Sequence, residues 1–293
     1  MFRFLIGMTV FVGLMFAGLA MAKTDTGSNY PESLRAWQQK RDAGLRSPNG
    51  WLTLVGLFWL KPGDNSIGSA DSNDFVLPKG SAPAQVGRLH LEGSKITFTA
   101  ADGSSRSLSY DEDKPDVVHA GTVSFYIIKR GDRFAVRAKD SASPVLKDFQ
   151  GMKYFPANPE LHFTAKFIPD PQIIPILNIL GETEMQESPG VVEFLYKGQV
   201  YRLRPVYEGK TLFFLFKDPT NKTGTYQAGR MLNTPLPADG KVDLDFNHSY
   251  NPPCTFTPYA TCPLPPKENT LPFPVEAGEL RYGKGHAEYA EAR

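Results

Sequence analysis

Gly87-Arg-Leu-His-Leu-Glu92, then Gly93, then Ser94-Lys-Ile-Thr-Phe-Thr99 decides the fold class. Polar and apolar residues alternate with period two on both sides of the glycine, the pattern of two half-buried strands joined by a tight turn. The same grammar recurs on either side. Val123-Ser-Phe-Tyr-Ile-Ile128 and Arg133-Phe-Ala-Val-Arg137 flank Arg130-Gly-Asp132 as a second hairpin. Leu161 to Phe167 alternates, as do Val192 to Tyr196 and Gln199 to Leu203 around Lys197-Gly198. Thr211-Leu-Phe-Phe-Leu-Phe216 is continuously apolar and suits a central strand. Trp51 to Val55 is expected to open the sheet region, with Leu57 to Leu60 following Gly56. One stretch reads differently. Tyr30 to Leu45 places Leu34, Trp37, Arg41 and Leu45 on one stripe, with Asn29 as cap and Pro31 in the first turn, and is expected to be helical. The fold class is therefore mainly β: an antiparallel β-sandwich or barrel-like sheets with one N-terminal helix.

Residues 1–22 read as a secretory signal peptide. A basic start at Arg3, an apolar run from Phe4 to Ala20 and the small-x-small sequence Ala20-Met-Ala22 precede the expected cleavage before Lys23. The protein is expected to be exported, periplasmic or secreted, with no stable membrane insertion after cleavage. Beyond the signal, residues 23–48 form an N-terminal helical segment, 49–145 a first β lobe and 146–293 a second lobe ending in a Pro/Cys motif. One continuous unit over 23–293 is the alternative. Thirty-two Lys and Arg balance 31 Asp and Glu for a net charge of +1, which gives no basic surface for a nucleic-acid partner. The two cysteines, Cys254 and Cys262, are expected to form a disulfide in an exported chain. C-x7-C is not a zinc spacing, and neither metal nor cofactor is expected.

Several chemistries are excluded by the sequence. It contains no G-x-S-x-G, no H-E-x-x-H and no phosphate-cradling glycine loop. Asp243, Asp245 and Asn247 resemble a calcium ladder, but His248 and Cys254 stand where that loop needs Gly and Glu. Alternation instead puts Val242, Leu244 and Phe246 on one face and Asp243, Asp245 and Asn247 on the other. Two readings of this segment stay open. Asp245, Asn247, His248 and Asn251 line a pocket, with His248 as proton carrier; or the carboxylate and amides bond loop backbone while His248 is idle. Arg202, Arg204 and Arg230 offer guanidinium forks for an anionic ligand, against surface ion pairing as the plain alternative, and Gly229-Arg230 is expected to end a strand after Thr225-Tyr226.

The combination of Trp37, Gly50-Trp-Leu-Thr-Leu-Val-Gly-Leu-Phe-Trp-Leu60, Asp218-x-Thr220, Thr225-Tyr226-x-x-Gly229-Arg230, Leu244-Asp-Phe-Asn247, Tyr250-Asn-Pro-Pro-Cys254, Thr261-Cys-Pro-Leu-Pro-Pro266, Asn269 and Ala277-Gly-Glu279 resembles the largely bacterial family catalogued as domain of unknown function 1684. The resemblance implies a fold and a signature but no reaction. His248-Ser249 departs from the family's pattern at that point, which weakens a catalytic role for His248. Three functions follow as expectations. The first is binding of a small polar or anionic ligand at a pocket formed by the C-terminal motif, with Arg230, Asp245, Asn247, Asn251 and Glu279 as ligand-binding candidates. The second is a hydrolase using Asp245 and His248. The third is a structural envelope protein whose motif braces a crossover.

Overall fold

The computed structural model describes residues 30–283. The signal segment and the Asn29 cap lie outside the described residues. Helix α1 (Tyr30–Leu45) spans the expected stretch, with Leu34 and Leu45 buried. Among the described residues no helix is long and apolar enough to cross a membrane.

Sixteen strands follow among the described residues, nine of them before residue 141: β1 (Leu54–Trp59), β2 (Gly63–Gly68), β3 (Phe75–Val76), β4 (Gly87–Glu92), β5 (Lys95–Ala100), β6 (Ser105–Ser107), β7 (Val118–Ala120), β8 (Val123–Arg130) and β9 (Arg133–Asp140). They form two open sheets, β1-β9-β8-β7 and β3-β2-β4-β5-β6. Ile67, Leu89, Leu91, Ile96 and Phe98 from one sheet and Val123, Phe125, Ile127, Val136 and Ala138 from the other share one apolar core. Alternation does this work: in β9, Phe134, Val136 and Ala138 enter the core while Arg133, Ala135, Arg137 and Lys139 take the opposite face.

After a short helix, α2 (Pro144–Asp148), come β10 (His162–Leu177), β11 (Thr183–Tyr196), β12 (Gln199–Leu203), β13 (Val206–Glu208), β14 (Thr211–Phe216), β15 (Arg230–Pro235) and β16 (Lys241–Asp245). These form the sheets β12-β11-β10-β16 and β13-β14-β15. A second core joins Ala165, Val192, Phe194, Leu203, Val242 and Leu244 to Leu212, Phe214, Phe216 and Leu232. Pairing between these strands is antiparallel except for β2 with β3, which is parallel. The sheets are stacked as in a sandwich, and none of those described closes into a barrel.

The hairpins around Gly93, Gly131 and Lys197-Gly198 pair as their alternation requires. At the last, Lys197 and Gly198 both take positive φ, 48° and 79°, the geometry that lets a two-residue turn follow the twist of its strands. Four local expectations need correction. Trp51–Thr53 is a 3-10 turn rather than a strand, because both the amide and the hydroxyl of Thr53 donate to the Gly50 carbonyl. Gly56 does not divide two strands; β1 runs through it, with a register shift between Leu54 and Gly56. β10 continues ten residues past Phe167 despite Pro169, Pro171 and Pro175. β16 covers β10 only from His162 to Lys166, so the prolines fall where that edge has no strand beside it, and a register shift absorbs Asp170-Pro171. Arg230 opens β15 instead of closing an earlier strand.

Candidate functional site

The C-terminal motif is a set of buried tethers. Asp245 caps the 3-10 turn Phe246–His248: its Oδ1 accepts from the amide and side-chain NH2 of Asn247 at 2.9 and 2.8 Å. Its Oδ2 accepts from the Tyr30 hydroxyl at 2.8 Å and lies 2.8 Å from Nδ1 of His248. Burial raises the Asp245 carboxyl, but the bonds from His248, Asn247 and Tyr30 outweigh it and hold the group below the usual carboxylate range. Asn247 spans to Asn158, accepting from its amide and donating to its carbonyl. Asn251 donates to Glu279 and to the Leu280 carbonyl. Glu279 also accepts from the Asn251 amide at 2.7 Å and from Nε of Arg41 at 2.8 Å. Gly278 sits at φ +78° with no room for a Cβ, which would lie 2.4 Å from the Ser249 carbonyl oxygen.

Arg230 is ion-paired elsewhere, although its Nε, like that of Arg137, has no hydrogen-bond partner among the described residues. It donates to Asp218 and to the carbonyls of Val275 and Ala277 at 2.6–2.7 Å, and its guanidinium lies 5.0 Å from the centre of the Phe216 ring. Arg202 pairs with Glu193, and Arg204 pairs with Asp170. The disulfide joins Cys254 to Cys262, with a Cα separation of 6.2 Å. The structure thus brings Asp245, Asn247 and His248 together in one cluster and Asn251 with Glu279 in another, while Arg230 belongs to a third. The three residues that alternation puts on one face do not share one environment: Asp243 is exposed, whereas Asp245 and Asn247 are buried beneath α1 and the Asn158 loop.

Two Asp–His pairs flank Tyr30. The Tyr30 ring stacks on His162, whose Nε2 lies 2.5 Å from Asp243. Burial lowers the His162 pKa, but the Asp243 hydrogen bond and the charges of Asp245 and Asp243 carry it above its ordinary value. His248 meets the edge of Trp37 at 5.0 Å. Among the described residues no group of His, Cys, Asp and Glu is arranged to hold a metal.

A cleft of about 390 Å³ lies beside the motif, and none of the five ligand-binding candidates lines it. Its walls come from α1 (Arg41), the turn at Trp51, β8 and β9 (Arg130, Arg137), β13 to β15 (Glu208, Phe213, Met231) and the cystine loop from Tyr250 to Pro263. The arginines are held differently. Arg41 is fixed by Glu279 and the Asn251 carbonyl and lies 4.8 Å over the Tyr250 ring. Asn251 and Glu279 therefore serve the cleft at one remove. Arg130 meets Glu112 at 3.0 Å and Glu184 at 3.7 Å.

Arg137 has no carboxylate within 4 Å among the described residues. It is 6% exposed, and its Nε has no hydrogen-bond partner there. One terminal nitrogen donates to the Thr261 hydroxyl at 3.4 Å, which also accepts from Arg130 at 3.3 Å. Trp51 lies beneath the guanidinium, 5.5 Å to the ring centre. Burial lowers the Arg137 pKa, with Tyr126 opposing, yet a guanidinium keeps its proton at any ordinary pH. A buried, charged, partly unbonded fork beside a cleft is a ready acceptor for an anion. Sequence reading missed Arg41, Arg130 and Arg137. The signal for two of them lay in the second hairpin, whose non-core face repeats Arg130, Arg133 and Arg137.

No curated protein matches the chain. Among solved structures it is similar to an uncharacterised protein of Haloarcula marismortui determined by solution NMR, at 29% identity and a TM-score of 0.39, over 46% of this chain and 78% of that one. Residues 147–280 match the family model described as "Protein of unknown function (DUF1684)", so the likeness read from the sequence holds over the segment that carries the motif and the cystine.

Proposed function

We propose that this is an exported binding protein that takes a small anion in the cleft between α1, β9 and the cystine loop. The observation that carries the reading is Arg137: buried, charged and without a carboxylate partner among the described residues. Leaving such a charge unpaired costs several kcal/mol, and an anion would recover much of that. Arg41 and Arg130 add positive field, and Thr261 supplies a hydroxyl between two guanidinium groups. Export rests on the signal-like Met1–Ala22 and on a cystine, which an oxidising compartment permits.

Isothermal titration with acetate and inorganic phosphate tests the reading. Saturable binding to the wild-type chain, weakened at least tenfold by Arg137→Gln with the melting transition retained, is the expected result. Equal heats for wild type and variant would remove the cleft from consideration. A hydrolase remains the second reading, because Asp245 and His248 stand 2.8 Å apart. Activity toward esters, phosphoesters or glycosides that falls sharply in Asp245→Asn would favour it; activity unchanged by that substitution ends it.

A further inference from the structure

We infer that the anion is a monocarboxylate carrying an apolar body of about a dozen non-hydrogen atoms, rather than a bare inorganic ion. The inference rests on the anion-binding reading of the cleft and narrows it to a ligand class by charge, size and wall chemistry.

Charge comes first. Arg41 is neutralised by Glu279, and Arg130 by Glu112 and Glu184. That leaves Arg137 as the one guanidinium of the cleft lining with no ion pair among the described residues. Glu208 also lines the cleft and contributes a negative charge. What is unpaired is a single guanidinium rather than a net positive charge of the lining, and one guanidinium suits one carboxylate. A dianion such as a phosphate monoester would bring a second charge for which the lining has no second unpaired guanidinium, beside the exposed carboxylate of Glu208. The planar fork of Arg137, with Nε facing no partner, matches the two oxygens of a carboxylate.

Size and walls give the rest. A space of about 390 Å³ is room for roughly a dozen water-sized units at ~30 Å³ each. Acetate or phosphate would fill a small part of it and leave the remaining water against Trp51, Phe213, Met231, Pro253, Ala260 and Pro263. Displacing that water with apolar atoms is favourable in proportion to the area covered. Such a lining, apolar side chains beside Arg137, Thr261 and further polar groups that can fix orientation, suits a small organic molecule with a charged end. Trp51 lies under the guanidinium, so the charged end of the ligand and the start of its body meet at one point.

The experiment is a titration series on the wild-type chain at fixed ionic strength with acetate, inorganic phosphate, octanoate, 3-phenylpropionate and the neutral 3-phenylpropan-1-ol. Octanoate and 3-phenylpropionate should bind at least tenfold tighter than acetate and phosphate, and the alcohol at least tenfold weaker than 3-phenylpropionate. Arg137→Gln, with Thr261→Val as a second and milder variant, should weaken both acids. If acetate or phosphate binds as tightly as the larger acids, in an Arg137-dependent way, the carboxylate-with-body inference is overturned and the anion site stands. If the alcohol binds as well as the acid, the charge argument is overturned. If no probe binds, or neither variant weakens binding, both the inference and the site reading fall.

Discussion

Arg230 and Arg137 are buried to nearly the same degree, 1% and 6% exposed, yet they sit in opposite electrostatic situations. Arg230 opens β15 and gives two of its nitrogens to Asp218, Val275 and Ala277, so its charge is balanced and its fork ties the end of the chain to the β14–β15 sheet. Arg137 lies in β9 on the face turned away from the core, with Thr261, Tyr126 and the Trp51 indole for neighbours and no carboxylate within 4 Å among the described residues. The Nε of both arginines lacks a hydrogen-bond partner there, so the difference lies in the ion pair. Burial pushes both guanidinium groups down; a carboxylate opposes it for Arg230, whereas only Tyr126 leads the opposition for Arg137. Burial of a polar group is therefore no mark of a site by itself. What distinguishes a site from a brace here is charge left without an opposite charge, which Asp218 supplies to Arg230 and no carboxylate within 4 Å supplies to Arg137 among the described residues.

The largest test of this contrast is removal of the paired arginine. Arg230→Met would leave Asp218 buried and unpaired and strip two carbonyls of their donor. A loss of about 3–5 kcal/mol in urea unfolding is expected, enough to leave much of the chain unfolded at 37 °C. A loss under about 1 kcal/mol would mean that the brace is not what holds the C-terminal segment.

The cystine comes next. Cys254→Ser with Cys262→Ser opens a loop with a sequence separation of 8, for which chain entropy gives about 2–3 kcal/mol. That loop also carries Thr261, whose hydroxyl bridges Arg130 and Arg137, so the double variant should weaken anion binding beyond its effect on stability. Urea unfolding and titration with 3-phenylpropionate, run on the same samples, separate the two effects. Binding unchanged at a temperature where the variant is folded would detach the cystine from the cleft.

The sheets were legible because period-two alternation survives in the hairpins; β4, β5, β8, β11 and β12 follow it, while β9 is buried on both faces from Phe134 to Ala138. The helix was legible from the stripe Leu34, Trp37, Arg41 and Leu45 and from Pro31. The far half of β10 was not, because proline reads as an interruption unless one knows that the strand there has a free edge. The C-terminal motif stood out for a reason the sequence cannot resolve. Asp, Asn, Glu and Arg that satisfy buried backbone look the same in a string of letters as those that meet a ligand; only their partners differ. Arg41, Arg130 and Arg137 escaped notice because they come from three segments that are brought together by packing. The basic, non-core face of the second hairpin was nonetheless written in its alternation.

A smaller effect concerns α1, which buries few apolar residues and is held through Tyr30, Trp37 and Arg41. Asp245 has a lowered pKa, so its share of the docking energy is full above about 3.9, its unfolded value, and is lost as pH falls through the lower folded value. His162 has a raised pKa, so its share is full below about 6.5 and fades as pH climbs through the higher folded value. The melting temperature should therefore dip at both ends of the range. Asp245→Asn should flatten the acid limb and His162→Gln the alkaline one. A wild-type profile level from pH 4 to 9 would remove the histidine half of this account.

The smallest change in stability should come from the residue with the largest effect on binding. Arg137→Met takes away a buried charge without a carboxylate partner and replaces it with an apolar chain of similar length beside Trp51. Such exchanges are often neutral or stabilising. The unliganded variant should stay within about 1 kcal/mol of wild type in urea unfolding, on the stable side, while binding of 3-phenylpropionate is lost. The sign is what matters. If Arg137→Met instead destabilises the free protein by as much as Arg230→Met does, then Arg137 is paid for inside its own fold, by bonds to Tyr126 and Thr261 that act as a brace. The two arginines would then be alike, and the cleft would have no spare charge to offer a ligand.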